Sequence, residues 1–201
     1  MASPLQNFFE IILHGESKTY NDHNWYVYGD QLKGFIEGRS NNPYPLLDKP
    51  LTKYTIDEVM TFQNRQRDGS GQLWATGRYQ IIPTTLKGLV ASLKLSTNKL
   101  YDQQTQDLMG YQLLMERPAL RQYLKGEIPD TIENKQKAAL DVAKIWSSVG
   151  VPFETTGSIK KIKLNESYYS GGGDKASTDS IYVQEGLKML RENADNVFGA
   201  S

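Results

Sequence analysis

Ser3-Pro4-Leu5-Gln6-Asn7-Phe8-Phe9-Glu10-Ile11-Ile12-Leu13-His14-Gly15-Glu16 opens the chain with the pattern of an amphipathic helix. Ser3 suits the N-cap and Pro4 the first helical position, while Leu5, Phe8, Phe9, Ile12 and Leu13 recur at the i, i+3, i+4, i+7 and i+8 spacing of one buried face. The helix is expected to end near Gly15, because glycine is the usual residue just past a helix end. Glu16 then stands at its exit.

Outward from that helix, residues 17–50 lose the helical period to aromatic, Asn, Gly and Pro residues, and read as loops with short strands. Thr55-Ile56-Asp57-Glu58 has the form of a capping box ahead of Val59, Met60 and Phe62, which starts a second helix. Asp68-Gly69-Ser70-Gly71 is turn chemistry. Gly77-Arg78-Tyr79-Gln80-Ile81-Ile82 alternates like a short hairpin strand that Pro83 stops. Residues 85–95, 102–116 (with Leu108, Tyr111, Leu114 and Met115) and 131–149 (with Leu140, Val142, Ala143 and Trp146) carry helical spacing, with a break at Pro118. After an irregular stretch at 150–173, a last helix carrying Ile181, Leu187 and Leu190 closes a mostly α chain, with a frayed tail at 194–201.

The bulk numbers narrow the chemistry. A chain of 201 residues, 38% hydrophobic and 23% charged, is expected to form one globular domain over 1–201 and to work as a monomer. Lys plus Arg and Asp plus Glu each number 23, so no net field draws in nucleic acid or an anionic membrane. No apolar run has bilayer-spanning length, so membrane insertion is not expected, and residues 1–13 lack the features of a signal peptide. There is no cysteine, which excludes disulfides and Cys-ligated zinc, and with His14 and His23 the only histidines a His-rich metal site is not expected; no cofactor is expected either. Carboxylates, hydroxyls and backbone must do any chemistry.

Three groups of residues have the right chemistry. Glu16, at the edge of an apolar helix, could keep its proton near neutral pH and act as a general acid, and the polar segment with Tyr20 and Asn21 could line a cleft and bond sugar hydroxyls. Local features alone favour an ordinary surface acid. Strand alternation would put Arg78 and Gln80 on one face and Tyr79 on the other, so either face could meet a ligand, although a plain hairpin is the better reading in isolation. Tyr168-Tyr169-Ser170-Gly171-Gly172-Gly173-Asp174-Lys175 offers tyrosines for sugar stacking, or equally a flexible loop.

Taken in order, helix-Gly15-Glu16-Ser17, Tyr20-Asn21, Ala75-Thr76-Gly77-Arg78-Tyr79-Gln80-Ile81-Ile82-Pro83, Ala143-Lys144-Ile145-Trp146-Ser147-Ser148-Val149 and Tyr169-Ser170-Gly171-Gly172-Gly173-Asp174-Lys175-Ala176 resemble the phage lambda endolysin family of the lysozyme superfamily. The resemblance covers residues 9–190. It implies a mostly α, α+β lysozyme-like fold of two helical lobes, with a small β-hairpin and a sugar-binding cleft between them. It also implies that Glu16 is the catalytic acid, that Arg78, Tyr79 and Gln80 line the cleft and that Tyr169 is the aromatic beside the acid. The chain departs from that family in two places. Asp174 stands where a histidine precedes the Lys-Ala pair, and the segment within 150–166 is longer, so residues 156–165 are expected to form an inserted loop or small hairpin at the cleft rim.

The implied reaction cleaves the β-1,4 bond after N-acetylmuramic acid in peptidoglycan. A second carboxylate across that bond would make it a hydrolysis. Asp22, Asp30, Glu37 and Asp48 follow Glu16 with no distinguishing spacing, and Asp22 is taken first because it lies closest in sequence. Without a second carboxylate, Glu16 acts alone and an anhydro ring closes, as in lytic transglycosylases. The expected setting is the cell wall, reached by holin-dependent release of an endolysin or by secretion-system delivery of an antibacterial effector, the latter with an immunity protein as partner. A non-catalytic glycan-binding or assembly module on the same scaffold, and a chitinase-like glycosidase, are the competing classes.

Overall fold

The first helix begins where Ser3 and Pro4 place it. In the computed structural model of the protein, α1 spans Pro4–Leu13 and buries Phe8, Phe9, Ile12 and Leu13. Its N-terminus is closed reciprocally: the Ser3 hydroxyl accepts from the Gln6 N–H at 3.2 Å, and the Gln6 side chain accepts from the Ser3 N–H at 3.0 Å. The structure describes residues 3–13, 17, 19–26, 33–35, 47–64, 72–157, 160–169 and 175–194. These belong to two compact units, one built from Met1–Gly15 with Leu113–Ser201, the other from Glu16–Gln112. Together they make a mostly α, α+β fold.

In the unit of Glu16–Gln112, strands β1 (His23–Tyr26), β2 (Lys33–Phe35) and β3 (Gln72–Thr76) form an antiparallel sheet in the order β2-β1-β3. His23 pairs with Phe35 on one side and Thr76 on the other, and the β1–β3 register shifts between His23 and Trp25. A 3-10 turn at Leu51–Lys53 leads into α2 (Ile56–Gln63), whose capping box on Thr55 and Glu58 forms as expected. Then follow α3 (Pro83–Ser92) and α4 (Gln103–Met115). Pro83 serves α3 as a first-turn residue, so it opens a helix as well as ending the extended segment before it.

Two expectations for this unit need correcting. Residues 77–80 are not a strand: they form the loop between Thr76 and Ile81, whose backbones exchange hydrogen bonds at 3.1 and 2.9 Å. Gly77 (φ 72°) and Gln80 (φ 49°) adopt left-handed backbone there, which breaks the strand alternation. In α4, Leu108 faces outward at 38% exposure, while Thr105, Gln106, Met109 and Gly110 are buried. Leu114 is buried as its spacing predicts, but most of that face is polar or small and carries no apolar period.

The other unit packs α1 against α7 (Ser180–Glu192), and α6 (Ile132–Ala143) against both α7 and α5 (Pro118–Leu124). Pro118 begins α5 after the break it makes. Helix α6 stops at Ala143, and the chain then turns to set Trp146 edge-on against Phe9, with ring centroids 6.2 Å apart. On α7 the buried residues are Ser180, Val183, Gly186, Leu187 and Leu190, whereas Ile181 is 54% exposed. The 150–166 segment contains the hairpin β4 (Thr155–Thr156) and β5 (Lys161–Ile162). Its base is tied into the unit by Asn165, whose Oδ1 accepts from the Ser180 N–H at 2.9 Å and the Ser180 hydroxyl at 2.8 Å, capping α7 from outside the helix.

Gly186 sets the approach of α1 and α7. A Cβ built there would lie 2.8 Å from the Phe8 ring and 3.1 Å from Ile11 Cδ1. Gly186→Ala therefore overpacks the contact and is expected to destabilise the protein by about 1–3 kcal/mol, despite the better helix propensity of alanine, as urea unfolding would show.

Candidate functional site

The residue after Glu16 is tightly held. Ser17 is 2% exposed, its hydroxyl bonds Asp22 Oδ2 at 3.2 Å, and its carbonyl accepts from Arg78 Nη1 at 3.0 Å. Glu16 itself lies outside the described residues, as do Asp30, Glu37 and 170–174. Asp22 is fully buried. Its Oδ2 also accepts from the Thr19 N–H at 3.0 Å, and its Oδ1 accepts from the Thr19 hydroxyl at 3.1 Å. Both oxygens thus serve the 17–22 loop, and none of that carboxylate is left to face a ligand. Asp48 is exposed and accepts from the Tyr54 hydroxyl.

Two segments far apart in the sequence meet here. The Gly77 N–H donates to the Asp22 carbonyl at 2.7 Å, and the Gln80 side chain donates to the Gly77 carbonyl at 2.9 Å while accepting from Asn24 at 2.7 Å. Asn21 holds the Thr52 N–H at 3.1 Å through Oδ1 and the His23 Nδ1–H at 2.8 Å through its carbonyl. Tyr20, Asn21, Asp22, Arg78, Tyr79 and Gln80 are therefore brought into one network. Tyr168 and Tyr169 belong to the other unit. There they pack edge-on with centroids 5.6 Å apart, and the hydroxyl of the 61% exposed Tyr169 donates to the Lys144 carbonyl.

The network closes on two residues of α4 that sequence reasoning passed over, Gln106 and Asp107. Gln106 is fully buried, with Oε1 taking the Arg78 N–H at 2.9 Å and Nε2 donating to the carbonyls of Tyr20 at 3.0 Å and Tyr101 at 2.9 Å. Asp107 Oδ1 accepts from the hydroxyls of Tyr20 at 2.9 Å and Tyr79 at 2.6 Å. Burial first, then the bond to Asp107, pushes the Tyr20 hydroxyl up to about 12 and the Tyr79 hydroxyl higher still. Both stay protonated donors at any physiological pH. A polar pair on an otherwise mixed helix carries no spacing signal, which is why neither residue stood out.

Among the described residues, no three His, Asp or Glu side chains gather as a metal site requires, and no helix is long and apolar enough to cross a membrane. No protein-family model, curated protein or solved structure matches the chain.

Replacing Gln106 by Leu leaves the Arg78 N–H and two carbonyls without their partner, and is expected to cost about 2–5 kcal/mol in chemical denaturation. The imidazole of His23 is held below its ordinary 6.5 by burial, so the unfolded chain binds the proton that the native state resists. The contribution of His23 to stability is complete above pH 6.5 and is lost as the pH falls toward the depressed native value. His23→Gln should flatten that part of a melting-temperature profile taken between about pH 7.5 and about pH 5.

Proposed function

We propose that the chain cleaves the β-1,4 glycan strands of bacterial peptidoglycan, with Glu16 as the general acid. The observation that carries this reading is the bond from Arg78 to the Ser17 carbonyl, across 61 residues of sequence. It joins two pieces of the endolysin-like pattern, the Gly-Glu-Ser segment that follows the first helix and the Gly-Arg-Tyr-Gln turn. The mostly α, α+β architecture is of the class that such a pattern implies.

In this reading Glu16 gives its proton to the glycosidic oxygen leaving N-acetylmuramic acid, through an oxocarbenium-like transition state. Asp22 does not act as a second carboxylate in this reading, because it spends both oxygens on the chain and is fully buried, and the ring-closing route needs none. Glu16 then takes the proton of the muramyl C6 hydroxyl as that oxygen bonds C1, so the acid is restored to its protonated form and no water is consumed. The anchored Ser17 supports the geometry on which such a proton transfer depends.

Glu16→Gln is expected to abolish the turbidity loss of purified cell wall while leaving thermal melting unchanged; retained lysis by a folded variant refutes the assignment. Mass spectrometry of the released fragments separates the routes, since an anhydro end is lighter than the hydrolysed one by a water.

A further inference from the structure

Asp107 differs from Asp22 in what it leaves open. Both tyrosine hydroxyls bond the same oxygen, Oδ1, and no described residue donates to Oδ2. Asp107 is half-buried, where Asp22 is fully enclosed. A half-buried carboxylate is an acceptor on both oxygens, so an oxygen that the chain leaves unfilled is suited to a donor from outside.

The surroundings hold that oxygen in place. The Tyr79 ring packs against α4 where Gly110 has no side chain: a Cβ there would come within 2.7 Å of the ring. That contact confines the Tyr79 ring, and the hydroxyls of Tyr79 and Tyr20 both hold the carboxylate through Oδ1. Because burial and the Asp107 bond keep both hydroxyls protonated, this orientation does not change with pH in the physiological range. A group fixed before binding gives up little conformational freedom when a ligand arrives.

We infer that Asp107 is a substrate-binding residue whose Oδ2 accepts hydrogen bonds from the hydroxyl or acetamido N–H groups of the glycan. This rests on the function proposed above, which supplies a ligand rich in such donors. Asp107 binds and orients the strand through this oxygen. It carries no proton in the reaction, which leaves the single-acid route intact.

The test is titration of soluble, uncross-linked strands of alternating N-acetylglucosamine and N-acetylmuramic acid into the full chain by calorimetry, alongside wall lysis and melting. Asp107→Asn keeps an Oδ1 acceptor for both tyrosines but replaces Oδ2 with a donor. It is expected to weaken binding about tenfold or more and to raise KM by a similar factor, with little change in melting temperature. Tyr79→Phe, which loosens the carboxylate from a ring only 3% exposed and so out of a ligand's reach, should weaken binding by about threefold, and it decides the matter if Asp107→Asn does not fold. Unchanged affinity in the folded variants overturns the role of Asp107 while leaving lysis by the native chain, and the proposed function, standing. A native chain that binds strands without cutting them removes the catalytic reading alone, and the affinity ratio still judges Asp107. A native chain that neither binds nor cuts overturns both.

Discussion

The side-chain amide of Gln106 is the contact on which the unit of Glu16–Gln112 turns. A fully buried amide must satisfy one carbonyl and two N–H donors without water, and here the Arg78 N–H and the carbonyls of Tyr20 and Tyr101 do so completely. Those partners come from the loop after α1, the turn after β3 and the approach to α4. One side chain thus holds in register three segments that share no regular secondary structure. Gly77 exists to admit it: a Cβ at 77 would lie 2.1 Å from Gln106 Oε1, and the left-handed backbone at that position disfavours any other residue.

The two units are stabilised by different means. In the unit containing α1, α6 and α7, apolar faces meet directly, and the close approach of Gly186 to Phe8 fixes the helix contact. In the other, the candidate site is assembled from hydrogen-bonded polar groups, with Ser17, Thr19 and Asp22 tying one loop and Tyr20, Tyr79 and Asp107 tying that loop and the 77–80 turn to α4. Such a network is sensitive to single deletions, since each lost partner strands a buried group. The same property confines the hydrogen-bonded groups of that network to a narrow range of geometries.

Much of the helical framework was legible in the residues. Ser3-Pro4 and Thr55-Ile56-Asp57-Glu58 mark helix starts because capping is local chemistry, confined to four consecutive residues. The candidate site was legible in part. Tyr20, Asn21, Arg78, Tyr79 and Gln80 could be named, and the structure gathers them, but as a positive-φ turn in place of a strand face. Gln106 and Asp107 could not be found, because their importance comes from groups that no sequence spacing connects to α4.

By itself the sequence determined the amphipathic opening helix, the capped start of α2, the mostly α character and the absence of cysteine from the side chains on offer. The helical features follow from short-range patterns of polarity and hydrogen-bonding capacity. Only the tertiary structure decided that Asp22 is spent on its own loop, that Ile181 and Leu108 face outward, and that Asp107 keeps an oxygen open. Burial and hydrogen-bond saturation depend on what else the fold brings within about 3 Å of a group, and that is set by contacts between residues distant in the chain.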